Sequence, residues 1–234
     1  MISPPVIHAV TTDDIIARED IIPLAAAVMR ALGPHGAVHL RANAASGRRL
    51  FDLATQLAPY QTTTGAWLVV NDRVDVALCV GARAVQLTTR SLTLGDARRT
   101  IQIARPQTPP IVIGASVHSI DEARAAAEKA EDGMPAWLVA GHVFPTSSHP
   151  GAPERGTTFL ADICAAVPVP IIAIGGVRPM NVPELLTAGA HGVAVIRGIW
   201  HAIDAERAAA DYLSAYDAAR DARVTDRGGA GGLS

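Results

Sequence analysis

The residues of this chain that could move a proton or hold an anion recur at one kind of place, directly after short apolar segments. His142 follows Ala136–Ala140 through a single glycine and opens the long, hydroxyl-rich stretch 141–151, hinged by glycine and proline as a lid over a ligand would be. An imidazole titrating near neutrality can both take and return a proton, which makes His142 the candidate acid/base. A lone histidine is also often a structural residue, and the residue types alone leave that open. Gly175-Gly176 follows Ile171–Ile174, and Arg197-Gly198 follows Gly192–Ile196. Two such turns side by side could wrap an anion in backbone N–H groups, and phosphate is the expected guest. Both turns could instead need glycine for steric reasons only.

Other chemistries are excluded by what is missing. The single lysine, Lys129, falls inside an amphipathic stretch, Asp121–Ala130, and not after an apolar segment, so Schiff-base chemistry is not expected. A magnesium ion on a diphosphate usually needs two or more converging carboxylates. Asp72 is available, but the fourth apolar segment ends in Thr88-Thr89-Arg90. His118, His142 and His149 show no zinc spacing, so no metal and no cofactor is implied.

The elements that must carry these residues are eight β-branched apolar segments, Val6–Val10, Ala37–Arg41, Ala66–Val70, Ala84–Leu87, Ile111–Ala115, Ala136–Ala140, Ile171–Ile174 and Gly192–Ile196. Alanine- and leucine-rich stretches of helical period, such as Asp121–Ala130 and Asp204–Ala219, separate them. Strands apolar along nearly their whole length need cover on both faces, and eight βα units choose a closed (β/α)₈ TIM barrel over a doubly wound sheet. Gly81-Ala82 before Val85 echoes Gly189-Ala190 before Val193, as helix ends in the left-handed conformation would. In such a barrel the exits of the strands form the working face. Thr11, Asp13, Arg41, Asn43, Asn71, Asp72, Thr88, Thr89, Ser116 and His118 therefore join the short list.

With 234 residues, 49% of them apolar, a single barrel over residues 1–220 is the simplest organisation, with 221–234 as a disordered tail. Twenty basic against 22 acidic residues give a net charge of −2, so neither nucleic acid nor a membrane surface is an expected partner. No leader of basic and apolar type opens the chain, and Cys79 and Cys164 sit in apolar helical stretches where buried packing is expected. A cytoplasmic protein is the corresponding expectation.

Several of these motifs, in order, carry a family likeness. Asn71-Asp72-Arg73-Val74-Asp75-Val76-Ala77, Val85-Gln86-Leu87, Gly114-Ala115-Ser116-Val117-His118-Ser119, Gly141-His142-Val143-Phe144-Pro145-Thr146 and Ala173-Ile174-Gly175-Gly176-Val177 resemble the thiamine phosphate synthase/TenI superfamily. That resemblance implies a thiazole phosphate as small-molecule substrate and offers two activities. Where the synthase carries Gln-x-Arg-x-Lys this chain has His39-Leu40-Arg41-Ala42-Asn43, where it carries a second acid this chain has Thr88-Thr89, and in the sixth loop His149 stands for lysine. Gly141-His142-Val143-Phe144 resembles instead the TenI-type thiazole tautomerase, an isomerase that aromatises a dihydrothiazole carboxylate phosphate through that histidine. The expectation is therefore a tautomerase with His142 catalytic. Thiamine phosphate synthase, or a non-catalytic thiazole phosphate-binding regulatory relative, is the alternative. By the same resemblance Thr146, Ser148, Gly176, Arg197 and Gly198 fall at phosphate positions, and Arg41, Asn71 and Ser116 at ligand-facing ones. A homodimer is the expected assembly.

Overall fold

A computed structural model describes residues 3–104, 111–128, 133–146 and 154–229, the last helix from residue 224 onward by its backbone alone. Eight parallel strands, β1 (Ile7–Val10), β2 (Gly36–Leu40), β3 (Trp67–Asn71), β4 (Ala84–Leu87), β5 (Val112–Val117), β6 (Trp137–Gly141), β7 (Ile171–Ile174) and β8 (Gly192–Val195), close into a barrel in chain order, with β8 pairing β1. The helices in order are α1 (Asp13–Ile16), α2 (Ile21–Leu32), α3 (Gly47–Thr64), α4 (Val74–Val80), α5 (Leu94–Ala104), α6 (Ile120–Glu128), α7 (Gly156–Ala166), α8 (Val182–Thr187), α9 (Arg197–Trp200) and α10 (Ala205–Gly229). The expected (β/α)₈ barrel is the observed one.

Two apolar cores follow from strand alternation, in which successive side chains point to opposite faces. The larger lies between strands and helices, with Ile7, Leu40, Leu68, Val85 and Leu138 meeting Met29, Leu53, Leu57, Leu160 and Leu185. The smaller fills the barrel interior with Val10, Ala37, Trp67, Val69, Ala84, Trp137, Val139, Ile172 and Ala194. Two indoles fill much of a space that eight short strands leave narrow, the Trp67 and Trp137 rings meeting edge to face at 6.2 Å. Gly114 on β5 makes room for them: a Cβ there would lie 2.2 Å from Trp137 Cε2.

The helix ends behave as the glycine echo requires. Gly81 and Gly189 both take positive φ, 68° and 100°. The following N–H groups reach back five residues, from Ala82 to Ala77 O at 3.0 Å and from Ala190 to Leu185 O at 3.1 Å, so orphan carbonyls are satisfied as the chain turns toward β4 and β8. At the other end of the chain α10 continues to Gly229, past residue 220 where the sequence suggested that the folded domain stops. Its Arg207–Asp211 pair, four residues apart, and its Ala-Ala-Arg composition favour helix over coil. Cys79 corrects a second expectation: it is exposed on α4. Cys164 is half-buried, and burial pushes its thiol up to about 11. Among the described residues no helix is long and apolar enough to cross a membrane.

Candidate active site

The barrel mouth is built from strand exits, and the exits of β6 and β7 are stitched together. The Val143 and Phe144 N–H groups donate to Ile174 O (2.9 Å) and Gly175 O (3.1 Å), which carries the ladder beyond both strands. Gly175 and Gly176 take φ of 102° and 66°. A Cβ on Gly175 would stand 2.3 Å from His142 Cβ, and one on Gly176 2.5 Å from Pro145 O. The double glycine thus lets the sixth loop lie against the seventh turn, and His142, half-buried, sits at that seam. The next turn is braced from outside. The Tyr212 hydroxyl on α10 donates to Val177 O at 2.8 Å and leaves no room for a side chain at Gly198, whose Cβ would lie 2.2 Å from it. Burial pushes that phenol up to about 12, so it stays a donor. Arg197 and Gly198 are exposed at the start of α9, and Thr146 is half-buried at the last described position of the sixth loop. Ser148 and His149 lie outside the described residues.

On the opposite side of the mouth Arg41 leaves β2 half-buried, its N–H donating to Thr11 Oγ1 (2.9 Å) while that hydroxyl donates to Arg41 O. The Asp13 carboxylate collects the N–H groups of Ala44 (2.8 Å) and Asn43 (3.1 Å) and so shapes the β2 exit; the Ala44 bond above all holds its carboxyl below the usual range. Arg90 donates to Asn43 Oδ1 at 2.5 Å, which brings a second guanidinium over the exits of β2 and β4. Asp72, at φ 63°, turns its Oδ1 to the β4 exit, where Thr88 N (3.0 Å), Thr88 Oγ1 (2.7 Å) and Ser91 Oγ all donate to it.

Beneath the mouth lies a set of buried polar side chains. His8 Nε2 stands 2.9 Å from Pro5 O, His8 Nδ1 2.8 Å from His39 Nε2, and His39 Nδ1 3.2 Å from Asn71 Oδ1. Across the interior Trp137 Nε1 donates to Gln86 Oε1 (2.8 Å), and Gln86 Nε2 donates to Ser116 Oγ (3.1 Å). Burial lowers His39 to about 4, and burial together with the neighbouring His39 holds His8 well below its ordinary value, so both rings are neutral at pH 7. The sequence motifs include His39 and Gln86 without a role for either, and His8, Trp137 and Tyr212 fall outside them. The available signal was parity: His8 and Val10, Ala37 and His39, Trp67, Val69 and Asn71 alternate onto one face, and polar residues on that face must line the interior.

A closed parallel barrel with polar side chains and glycine turns gathered at the carboxyl ends of its strands is a (β/α)₈ barrel of the kind that works at its mouth. The chain belongs to the thiamine monophosphate synthase family, whose model matches residues 7–199. It is 36% identical to the thiamine-phosphate synthase of Pyrococcus horikoshii, over 83% of this chain and 89% of that one. It is 39% identical to that of Methanoculleus marisnigri, over 81% and 85%. The solved thiamine phosphate pyrophosphorylase from Pyrococcus furiosus superposes with a TM-score of 0.72 at 30% identity, covering 92% of this chain and 96% of that one. A 3-hexulose-6-phosphate synthase shares the fold at a TM-score of 0.63 and 16% identity.

These relatives correct the expected activity. They are named thiamine-phosphate synthases and a thiamine phosphate pyrophosphorylase, which overturns the expected tautomerase and with it the expected isomerase. The misleading run Gly141-His142-Val143-Phe144 has a local cause. A Cβ on Gly141 would stand 2.2 Å from Ile174 O and Val143 is fully buried, so these two positions serve the seam whatever reaction runs above it.

Proposed function

We propose that this chain is a thiamine-phosphate synthase, joining a pyrimidine diphosphate to a thiazole phosphate. The carrying observation is the likeness to thiamine-phosphate synthases along most of both chains. In the coupling a bond forms between the thiazole nitrogen and the methylene carbon of the pyrimidine. The bond from that carbon to diphosphate oxygen breaks, and diphosphate leaves with the electron pair.

In this reading the turns Gly175-Gly176 and Arg197-Gly198, with Thr146 and Ser148 of the sixth loop, hold the thiazole phosphate by backbone N–H and hydroxyl groups. His142, against Gly175, orients the thiazole ring. Asn71 and Ser116 face the pyrimidine. Arg41 and Arg90 stand at the exits of β2 and β4, where their always-charged guanidinium groups would offset the charge growing on the departing diphosphate. Magnesium, which the coupling reaction of this family implies, is not well matched by the residues present. Asp72 Oδ1 already accepts three hydrogen bonds, the β4 exit has no acid, and the described residues contain no group of three or more metal-binding side chains. No step is therefore assigned to a metal. The reading extends to a cytoplasmic enzyme of one barrel domain, working on small molecules and pairing with a second copy.

That commitment of Asp72 favours one further reading, a regulatory relative that binds thiazole phosphate without turnover. Incubating the protein with both substrates and following thiamine phosphate by chromatography separates them. Product formation faster than in protein-free buffer is expected, and tight binding of thiazole phosphate with no product would establish the regulatory reading instead.

A further inference from the structure

The last paired residues of β7 and β8 are Ile174 and Ala194, so the sheet does not set how the two turns above them lie against each other. The seventh turn can take up an anion only if its carbonyl oxygens face elsewhere, because a carbonyl aimed at an anion repels it. Protein donors draw them aside. The Val143 N–H donates to Ile174 O, the Phe144 N–H to Gly175 O, and the Tyr212 hydroxyl to Val177 O at 2.8 Å. In a planar trans peptide the N–H points opposite to the C=O, so the N–H groups of Gly175 and Gly176 face away from the sixth loop. Val143 and Phe144 belong to that loop, whereas Tyr212 comes from α10, 35 residues beyond Val177.

Tyr212 reaches the eighth turn with the same atom. A Cβ on Gly198 would lie 2.2 Å from the phenol oxygen and 3.1 Å from the ring carbon that bears it. Gly198 is nevertheless exposed, so its backbone is a thin wall between the phenol and the open side of the turn. The Tyr212 side chain is buried, and burial keeps the phenol protonated and donating. Further along α10, Arg223 Nη1 donates to Leu186 O of α8 at 2.6 Å, which ties the helix down. One hydroxyl on a fixed helix therefore meets both turns, Val177 O as its acceptor and Gly198 as a packing surface.

We propose that Tyr212 is a positioning residue for the phosphate group, its hydroxyl holding the Gly175-Gly176 and Arg197-Gly198 turns at the separation a phosphate monoester needs. The proposal rests on the reading that these turns hold the thiazole phosphate, and it does not require the coupling step. Tyr212 acts through the backbone of the two turns. Its loss should be felt by the phosphate group and not by the thiazole ring.

Calorimetry of the intact protein with thiazole phosphate and with the corresponding thiazole alcohol tests this, in wild type and in Tyr212→Phe, which keeps the ring and removes only the hydroxyl. Affinity of the variant for thiazole phosphate should fall about tenfold, the order of one hydrogen bond, while its affinity for the alcohol stays unchanged. Equal affinity for thiazole phosphate in the two proteins would overturn the proposal and leave the coupling reading standing. Equal weakening of phosphate and alcohol would also overturn it, since a general loosening of the site affects both. A wild type that binds no thiazole phosphate would overturn the reading together with the proposal. Gly198→Ala reaches the same contact from the other side, its methyl displacing the hydroxyl. The two substitutions combined should weaken thiazole phosphate binding by less than the product of their separate effects. Effects that simply multiply would show two unconnected contacts and overturn the proposal.

Discussion

Acid should unfold this protein through its interior before it acts on its surface. The His39 ring is held at about 4 against an ordinary 6.5, with burial as the main cause. Between those values the unfolded chain takes up a proton that the folded chain refuses. The stability contributed by the neutral ring is therefore whole above about pH 6.5 and drains away as the pH falls toward about 4. The span from 6.5 to about 4 is worth about 3 kcal/mol, a sizeable part of the stability of an ordinary domain. His8, lowered in the same direction, adds to the loss. The carboxylates act in a different window. Asp13, Asp14, Asp20 and Asp75 lie below their ordinary 3.8, so their contributions persist above that value and fade only at lower pH. Urea unfolding followed by tryptophan fluorescence at about pH 7 and about pH 4.5 isolates the histidines. The wild type should lose most of that 3 kcal/mol, while His39→Gln, which cannot charge, should lose distinctly less between the same two conditions. Equal losses in the two proteins, or a flat wild-type profile, would refute the reasoning.

Three further outcomes follow from the same interior and mouth. Gly114→Ala would place a Cβ 2.2 Å from Trp137 Cε2 and 2.5 Å from Gln86 Oε1; a cost of about 1–3 kcal/mol is expected in urea unfolding. Trp137→Phe keeps a ring but removes the donor to buried Gln86 Oε1, and should cost about 1–3 kcal/mol from the unsatisfied amide, besides the smaller volume. Gly176→Ala puts a methyl 2.5 Å from Pro145 O at a positive φ, which must part the sixth loop from the seventh turn. It should weaken thiazole phosphate binding at least about tenfold in calorimetry, about 1.4 kcal/mol, and unchanged affinity would remove that seam from the site.

The architecture was legible because its signal is repeated. Eight apolar segments alternate with helical ones, and every expected strand overlaps an observed one. Bounds moved by a residue or two where pairing, not composition, decides. β5 runs on to Val117 because Ser116 and Val117 pair with Val139 and Ala140, which places Ser116 inside the strand. Asn71 likewise closes β3 opposite Gln86. The exits that form the mouth were legible for the same reason, since a barrel works at the carboxyl ends of its strands. The interior was harder. His8 and Gln86 each sit alone in an apolar segment, and a single polar residue there reads as noise until the barrel fixes which face points inward. Activity was harder still, because three departures from the synthase pattern, at His39-Leu40-Arg41-Ala42-Asn43, Thr88-Thr89 and His149, and the run Gly141-His142-Val143-Phe144 all pointed away from the synthases that the chain resembles along most of its length.

Departure of diphosphate is the most direct test of the proposed coupling. With the protein in excess over a pyrimidine diphosphate, phosphorus NMR should show free diphosphate appearing only when thiazole phosphate is also present, one for each thiamine phosphate formed. Persistence of the intact pyrimidine diphosphate beside bound thiazole phosphate would contradict it.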